Sequence, residues 1–308
     1  VNIKVDREER PDIDTIYQSA LAMIGEQGGW PLTMFLTPDG EPFWGGTYFP
    51  PTPRYGRPGF PDVVKAVAET FKADPDRVQK NVEALREGLA QNSTPMPGEE
   101  ISTGIIEQVA QRLTNEIDMF RGGIKGAPKF PMFNLYETLI YFYNKTNDKK
   151  YLKPIEIVIE KLCSKGIYDH VEGGIARYTI DEDWIIPHFE KMLYDNVQFI
   201  LLLSKYCNIN SNNYFKSKLE QTIEFLKKDF LNKEGFLGSA YDADSDGEEG
   251  KYYVYSYDEI KNLKDINKYF EIKPEGNWKN KIILVEKEKP NHEIIEKLKK
   301  IRSKRNKP

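Results

Sequence analysis

Three stretches of this chain read alike. RGGIKGAPKFPMF (Arg121 to Phe133), GGIARYTIDEDWIIP (Gly173 to Pro187) and GFLGSAYDADSDGEEGKYYVY (Gly235 to Tyr255) are each rich in glycine, aromatic and polar residues. They return every ~50 to 60 residues, about the length of one helical hairpin with its loops. Between and around them, apolar residues recur at helical spacing. The spacing predicts helices over Thr103 to Met119, Asn134 to Lys145, Ile155 to Lys165, Pro187 to Cys207 and Tyr214 to Phe230. Long loops that all follow the same kind of helix gather at one end of a helical array, where a rigid scaffold presents chemistry.

The first ninety or so residues have a different rhythm. Val1 to Val5 alternates apolar and polar residues as a strand does, and Arg10-Pro11-Asp12 breaks it. Ile13, Ile16, Tyr17, Ala20, Leu21 and Ile24 share one face of a helix that Gly28-Gly29 ends. Leu32 to Leu36 and Glu41 to Trp44 form a hairpin about the turn Pro38-Asp39-Gly40. Helices follow over Phe60 to Phe71 and Pro75 to Ala90, the second opened by Asp74 as N-cap and Pro75 at the first helical position. Asn92 to Glu100 (NSTPMPGEE) has the composition of a linker. The predicted organisation is therefore 1–92, a linker at 93–100, and 101–308.

Bulk properties narrow the function classes. Of 308 residues, 39% are hydrophobic and 30% charged, and the mean hydropathy is -0.61, as for a globular chain with a real core. No apolar run approaches the ~20 residues that cross a bilayer. A net charge of -4 gives no basic field for nucleic acid. The basic tail, Lys297 to Lys307, reads as a solvated helix end. Cys163 and Cys207, the two cysteines, lie in apolar helical stretches with neither a CxxC nor a metal spacing, which predicts buried free thiols. No cofactor and no metal are expected, and no signal peptide is visible. A cytoplasmic location is the expectation.

His188 heads the residues with chemistry to offer. It follows Pro187, a natural first helical residue, with Glu190 in the first turn and Asp195 two turns further on. Arg177, Tyr178 and Trp184 stand in the loop before it. Aromatic faces stack on sugar rings, while acids and a histidine move protons, so the set suits a sugar site. The alternative is a helix cap with ion pairs such as Lys191 to Asp195. Asp242-x-Asp244-x-Asp246-Gly247 opens like a calcium loop, but its twelfth position is Tyr253 rather than glutamate, and KYYVYSY reads as a strand. A carboxylate-rich loop, with Glu249 among its acids, facing a pocket is the stronger reading. Lys129, beside Phe130 and Tyr136, is a further ligand candidate, against a solvated lysine at a helix entry. Trp30 and Trp44 are expected in the core. Trp30-Pro31, at a strand's start after two glycines, is a candidate cis peptide.

Longer words in the sequence point to a family. VDREERPDID (Val5 to Asp14), QGGWPLTMFLTPDG (Gln27 to Gly40), FWGGTYFPP (Phe43 to Pro51), GGIARYTIDEDWIIPHFEKMLYDN (Gly173 to Asn196) and AYDADSDGEEGKYYVY (Ala240 to Tyr255) resemble the spermatogenesis-associated, thioredoxin-domain protein family. The resemblance covers nearly the whole chain. It implies an α/β thioredoxin-like partial domain followed by an incomplete all-α (α/α) toroid of the six-hairpin glycosidase-like kind. It implies a structural cis-proline at Pro31. It also implies that the family's CHWCH-type cysteine motif lies before Val1 and that the toroid continues past Pro308. Asp242 and Asp244 match the family's YDADS pattern.

The candidate catalytic set is then His188, Glu190, Asp195, Asp242 and Asp244, with Arg177, Tyr178, Trp184, Glu249 and Lys129 binding substrate. Paired carboxylates suit glycoside hydrolysis, and a histidine with acids suits sugar epimerisation or isomerisation; the residues do not choose. The competing readings are a thiol-redox protein that uses the toroid as a platform and a non-catalytic scaffold. The expected partners are a sugar or glycan and a protein bound through the thioredoxin-like module, with no nucleic acid and no membrane.

Overall fold

The structure is a computed structural model that describes residues 1–54, 56–95, 98 and 103–308. Contacts divide the chain into two units, Val1–Glu100 and Ile101–Pro308. Of the linker expected at 93–100, Ser93 ends a helix, and Met96, Pro97, Glu99 and Glu100 lie outside the described residues. The chain is helix-rich, at 48%, and its strands are short two-stranded ribbons.

Unit 1 opens with helix α1 (Pro11–Met23), with Pro11 in the first turn, where its missing N–H costs nothing, and Asp12 and Asp14 favourably placed beside the helix's positive end. Strands β1 (Thr33–Leu36) and β2 (Pro42–Gly46) form the expected antiparallel hairpin. Helices α2 (Phe60–Ala73) and α3 (Pro75–Ser93) share Asp74, which closes the first and caps the second by accepting the Arg77 N–H at 3.1 Å. Phe43, Val78 and Val82 form the buried core, with Phe35 and Val67 against it. The Trp30–Pro31 peptide is cis, as the residues around it suggest. Three expectations fail here, and Trp44, also expected in the core, is one of them, since it lies exposed on β2. Val1 to Val5 forms no strand and has no strand partner among the described residues. Trp30 is not core: it is 55% exposed, with the Arg7 guanidinium 4.0 Å above its ring and its indole N–H donated to Asp14.

Unit 2 contains helices α4 (Thr103–Glu116), α5 (Phe133–Thr146), α6 (Lys149–Ser164), α7 (Leu193–Ile209) and α8 (Asn213–Phe225), the last continuing into a π-helical turn at Leu226–Phe230. α5 pairs with α6 and α7 with α8; α4 packs on α5 and α6, and α5 on α7. Their apolar faces enclose one large core that includes Tyr136, Leu139, Ile155, Ile159, Phe199 and Leu203. A second core lies between 255–284 and helix α9 (His292–Arg302).

The three similar loops share more than composition. Each is closed by an isolated antiparallel bridge, Ile117 with Ile124, Tyr168 with Ile175, and Leu231 with Leu237. Inside each, a side-chain oxygen of Asp118, Asp169 or Asn232 accepts two backbone N–H groups just ahead of it. Glycines with positive φ turn the chain back: Gly122 and Gly123, Gly173 and Gly174, and Gly235. In the first two loops a buried lysine then spans the turn. Lys129 Nζ donates to the Gly122 carbonyl (2.7 Å) and reaches Asp118 (3.3 Å). Lys191 Nζ donates to the Gly173 carbonyl (2.9 Å) and to Asp169 (2.9 Å). The repeat is thus one folding unit used three times, closed by a lysine twice.

Where helix α7 was expected to begin, the chain is extended. Pro187 and His188 form a strand (β4) opposite Tyr178–Thr179 (β3), and Lys191–Met192 (β5) pairs with Ala240–Tyr241 (β6). The backbone groups of 177–180 were available as partners, as in the Arg177 N–H donated to the Glu190 carbonyl, and pairing overrode the proline's helix signal. Strands β7 (Asp244–Ser245) and β8 (Glu248–Glu249) form a tight hairpin whose turn residues, Asp246 and Gly247, both have positive φ. KYYVYSY is no strand beyond an isolated bridge at Tyr255.

Candidate functional site

The β3–β4 ribbon sets Tyr178 directly opposite His188, and directly opposed side chains lie on one face. Their rings stack, with centroids 5.1 Å apart and planes 23° from parallel. The bridge between Lys129 and Thr179 brings Phe130 alongside, so Phe130 stacks on Tyr178 at 4.6 Å and 26°. The result is a column of three rings, Phe130, Tyr178 and His188, with Phe130 40% exposed at one end.

Charged groups frame that column. His188 Nδ1 lies 3.2 Å from Glu249 Oε1, carried in on β8, and His188 Nε2 lies 4.0 Å from Glu190 Oε2. Glu190 is itself held by Arg177, whose Nη1 donates to Oε2 at 3.0 Å. Burial works against the Arg177 charge, but the hydrogen bond to Glu190 and the negative charges of Glu190 and Asp195 raise its pKa above the usual arginine value. Burial raises the Tyr178 hydroxyl, and Glu249 and Glu190 raise it further. Lys279 comes from the tip of a hairpin at Trp278–Lys281, in which Lys279 and Asn280 both have positive φ. Its Nζ is 3.8 Å from Glu249 Oε2 and packs over the Trp278 ring at 4.3 Å.

A carboxylate at Nδ1 makes Nδ1 the N–H side of the neutral imidazole and leaves Nε2 with its lone pair. His188 is thereby prepared to accept a proton at Nε2. Glu190, the nearer acid on that side, is held by Arg177. The cavity behind the ribbon, between Pro187, Asp169, Lys191 and Arg302, is about 30 Å³, room for a water and far too small for a sugar. A ligand would meet the open face of the column instead.

Of the residues singled out in the sequence, Arg177, Tyr178, His188, Glu190 and Glu249 come together here. Asp195 sits in the first turn of α7, close enough for its charge to act on Arg177. Asp242 and Asp244 are exposed; the Asp242 carboxylate accepts the Asp244 N–H at 3.0 Å, and Asp244 stands opposite Glu249 in the β7–β8 pair. Among the described residues, no group of three or more His, Cys, Asp or Glu could hold a metal ion.

Two candidates lie inside the fold, away from the open face of the column. Trp184 is fully buried, donates its indole N–H to the Arg121 carbonyl at 3.0 Å, and leaves no room for a side chain at Gly123. Lys129 is not solvated, since it is 2% exposed and closes the first loop. Lys191 likewise pairs with Asp169 rather than with Asp195, and burial lowers its pKa against the pull of that carboxylate. Burial opposes charge on Asp169, yet Arg302 and Lys191 beside it hold its carboxyl far below the usual range. The basic tail also turns inward. Arg302 is buried with both its bonds to Asp169 at 2.8 Å, while Lys299 stays outside, paired with Glu296.

The sequence reading missed Lys279 and Trp278, which nothing near the motifs announces because a distant hairpin delivers them. Asp169 and Lys191 were legible in principle, since D-x-x-x-G-G occurs at both Asp118 and Asp169.

Residues 1–90 match the family described as Thioredox_DsbH, protein of unknown function, DUF255. Over 277 residues the chain is 31% identical to spermatogenesis-associated protein 20 of Homo sapiens, a match that covers 85% of this chain and 35% of that protein. It is 31% identical over 303 residues to an uncharacterized protein of Caenorhabditis elegans, covering 90% of this chain and 41% of that one. The chain spans about a third of the length of the human protein. Among solved structures it is similar to a cellobiose 2-epimerase from Spirochaeta thermophila, at 16% identity and a TM-score of 0.38, over 46% of this chain and 41% of that one.

Proposed function

From the premise that this chain belongs to the family of spermatogenesis-associated protein 20, we propose that its helical unit is part of an (α/α) toroid whose loop end binds a saccharide. His188 is the group that moves a proton there. One observation carries this reading: the ring column ends on an imidazole whose Nδ1 is held by Glu249. Aromatic faces bind the apolar faces of sugars, and an oriented imidazole is a general base near neutral pH. A proton taken by Nε2 from the carbon next to a sugar carbonyl would leave an enediolate; its return to the opposite face of that carbon would complete an epimerisation, whereas its delivery to the former carbonyl carbon, with the neighbouring hydroxyl proton passing to the old carbonyl oxygen, would complete an isomerisation. Hydrolysis needs a second carboxyl free to act, and Glu190 is already bound to Arg177.

A thiol-redox role is the second reading, supported by the family match of residues 1–90. Both cysteines of this chain lie in unit 2, with Cys163 buried and its thiol pushed well up by burial, away from the thiolate form.

The test is incubation with reducing mono- and disaccharides in deuterium oxide, followed by proton NMR. Exchange of the hydrogen beside the carbonyl, lost in His188→Ala, supports the proposal. Saccharide binding without exchange would reduce the site to a binding site. Neither binding nor exchange would sink the carbohydrate reading and turn attention to unit 1.

A further inference from the structure

We infer that the segment 302–307 is the positioning element of the site, acting on His188 through the loop that carries Glu249; this rests on the proposed role of His188. Glu249 lies on a hairpin whose ladder covers Asp244–Ser245 and Glu248–Glu249, with one further bond from the Gly250 N–H to the Ala243 carbonyl at 2.9 Å. So short a ladder holds a hairpin loosely by itself. The 302–307 segment grips the chain on both sides of it. On the near side, Ser245 donates its hydroxyl to the Asn306 carbonyl at 2.6 Å, and Asn306 donates its amide to Asp246 at 2.8 Å. On the far side, one guanidinium nitrogen of Arg305 donates to the carbonyls of Lys251 (3.3 Å), Tyr252 (3.1 Å) and Val254, and the other to Glu259 at 2.8 Å.

The same segment holds the neighbouring repeat loop. Arg302 binds Asp169, and Lys307 binds Asp229 at 2.5 Å. Arg305 satisfies three carbonyls that no ribbon partner takes up, and the side chain of Arg305 is 14% exposed. Such a grip resists salt better than a surface pair does. What it fixes is where Glu249 stands, and Glu249 decides which nitrogen of His188 carries the proton. Arg305 and Asn306 are positioning residues: neither touches the imidazole.

Nitrogen-15 NMR of the imidazoles reads this directly and needs no saccharide, so the outcome is separable from that of the sugar experiment. The chain has three histidines, and a His188→Ala spectrum assigns His188. His170, buried and bonded through Nε2 to the Lys165 carbonyl, reports whether the core is intact. At alkaline pH the native protein should show the Nδ1–H form of His188. Arg305→Ala should lose that signature, as Glu249→Gln does, while the His170 signals stay in place. The milder Asn306→Ala and Arg305→Lys variants cover the case in which Arg305→Ala does not fold: Asn306→Ala should weaken the signature, and Arg305→Lys should retain part of it. An Nδ1–H form of His188 unchanged in a folded Arg305 or Asn306 variant would overturn the inference, as would loss of the His170 signals in every variant that alters His188.

Discussion

Lys191 stands in its loop where Lys129 stands in the one before, each ammonium donating to the first glycine carbonyl of a Gly-Gly turn and pairing with the aspartate that opens it. The two differ in depth. The Asp169 side chain is 5% exposed and Asp118 14%, and Asp169 also carries Arg302.

Removing one partner of a buried pair leaves the other charge stranded, at a cost of roughly 3–5 kcal/mol. Lys191→Met should therefore lower the stability of unit 2 by about that much, and Lys129→Met by less, in urea unfolding followed by circular dichroism. Equal losses, or none, would show that the lysines only fill space.

The glycines of the repeat should not respond alike. Gly174 has φ of +81°, and a Cβ there would stand 2.5 Å from Phe225. Gly235 has φ of +88° with nothing within 4 Å. Gly235→Ala should cost only the left-handed backbone penalty, about 1–2 kcal/mol. Gly174→Ala adds a core clash and should cost clearly more in the same denaturation experiment.

Acid should act through a buried triad. His170 Nδ1 lies 3.2 Å from Lys218 Nζ and 3.1 Å from Glu286, and Lys218 donates to Glu286 at 2.7 Å. Nε2 must carry a hydrogen to meet the Lys165 carbonyl, so the neutral ring accepts from Lys218 at Nδ1. Burial, then the Lys218 charge, lowers the His170 pKa from its ordinary 6.5. Burial opposes charge on Glu286 too, but His170, once acid has protonated it, and the Lys218 ammonium pull it down to about 2. A histidine kept neutral in the fold takes up a proton on unfolding. Its stabilisation is full above pH 6.5 and is lost as pH falls below that value. The Glu286 share is full above 4.5 and is lost on the way to about 2. The thermal midpoint should fall in two stages on acidification, and His170→Gln should abolish the earlier one. Tyr168, Tyr214, Cys163, Asp169 and Lys289 are the other ionisable groups facing the triad. A midpoint that holds level between pH 6.5 and 5 would contradict this account.

The ring column makes a binding prediction. Aromatic pairs contribute about 0.5–1.5 kcal/mol beyond burial. Phe130→Ala should weaken saccharide retention by up to about tenfold in affinity electrophoresis, and Phe130→Tyr should not. Undiminished retention in Phe130→Ala would place the sugar elsewhere.

Much of the architecture was written in local pattern. Helices α2, α3, α5 and α8 begin within a residue of where periodicity and caps put them, because Asp74, Pro75 and the apolar stripes act over one or two turns. The recurrence of the glycine-rich loops was visible for the same reason. Pairing between distant segments was not. The Pro187 helix start failed because Tyr178 and Thr179, on another segment, offered backbone partners. Val1 to Val5 failed as a strand because alternation describes a strand only where something pairs with it.

Local composition and spacing thus marked His188, Arg177, Tyr178, Glu190 and Glu249 as chemically interesting, since short motifs carry residue type and order. Their roles depended on contacts between loops far apart in the chain. Burial made Trp184 and Lys129 structural, a stacked neighbour made Phe130 part of the column, and the inward turn of 302–307 converted a basic tail into a clasp. Which atoms meet across such distances is settled by packing and desolvation, and those act on the folded surface, where the linear order of residues no longer decides who is adjacent to whom.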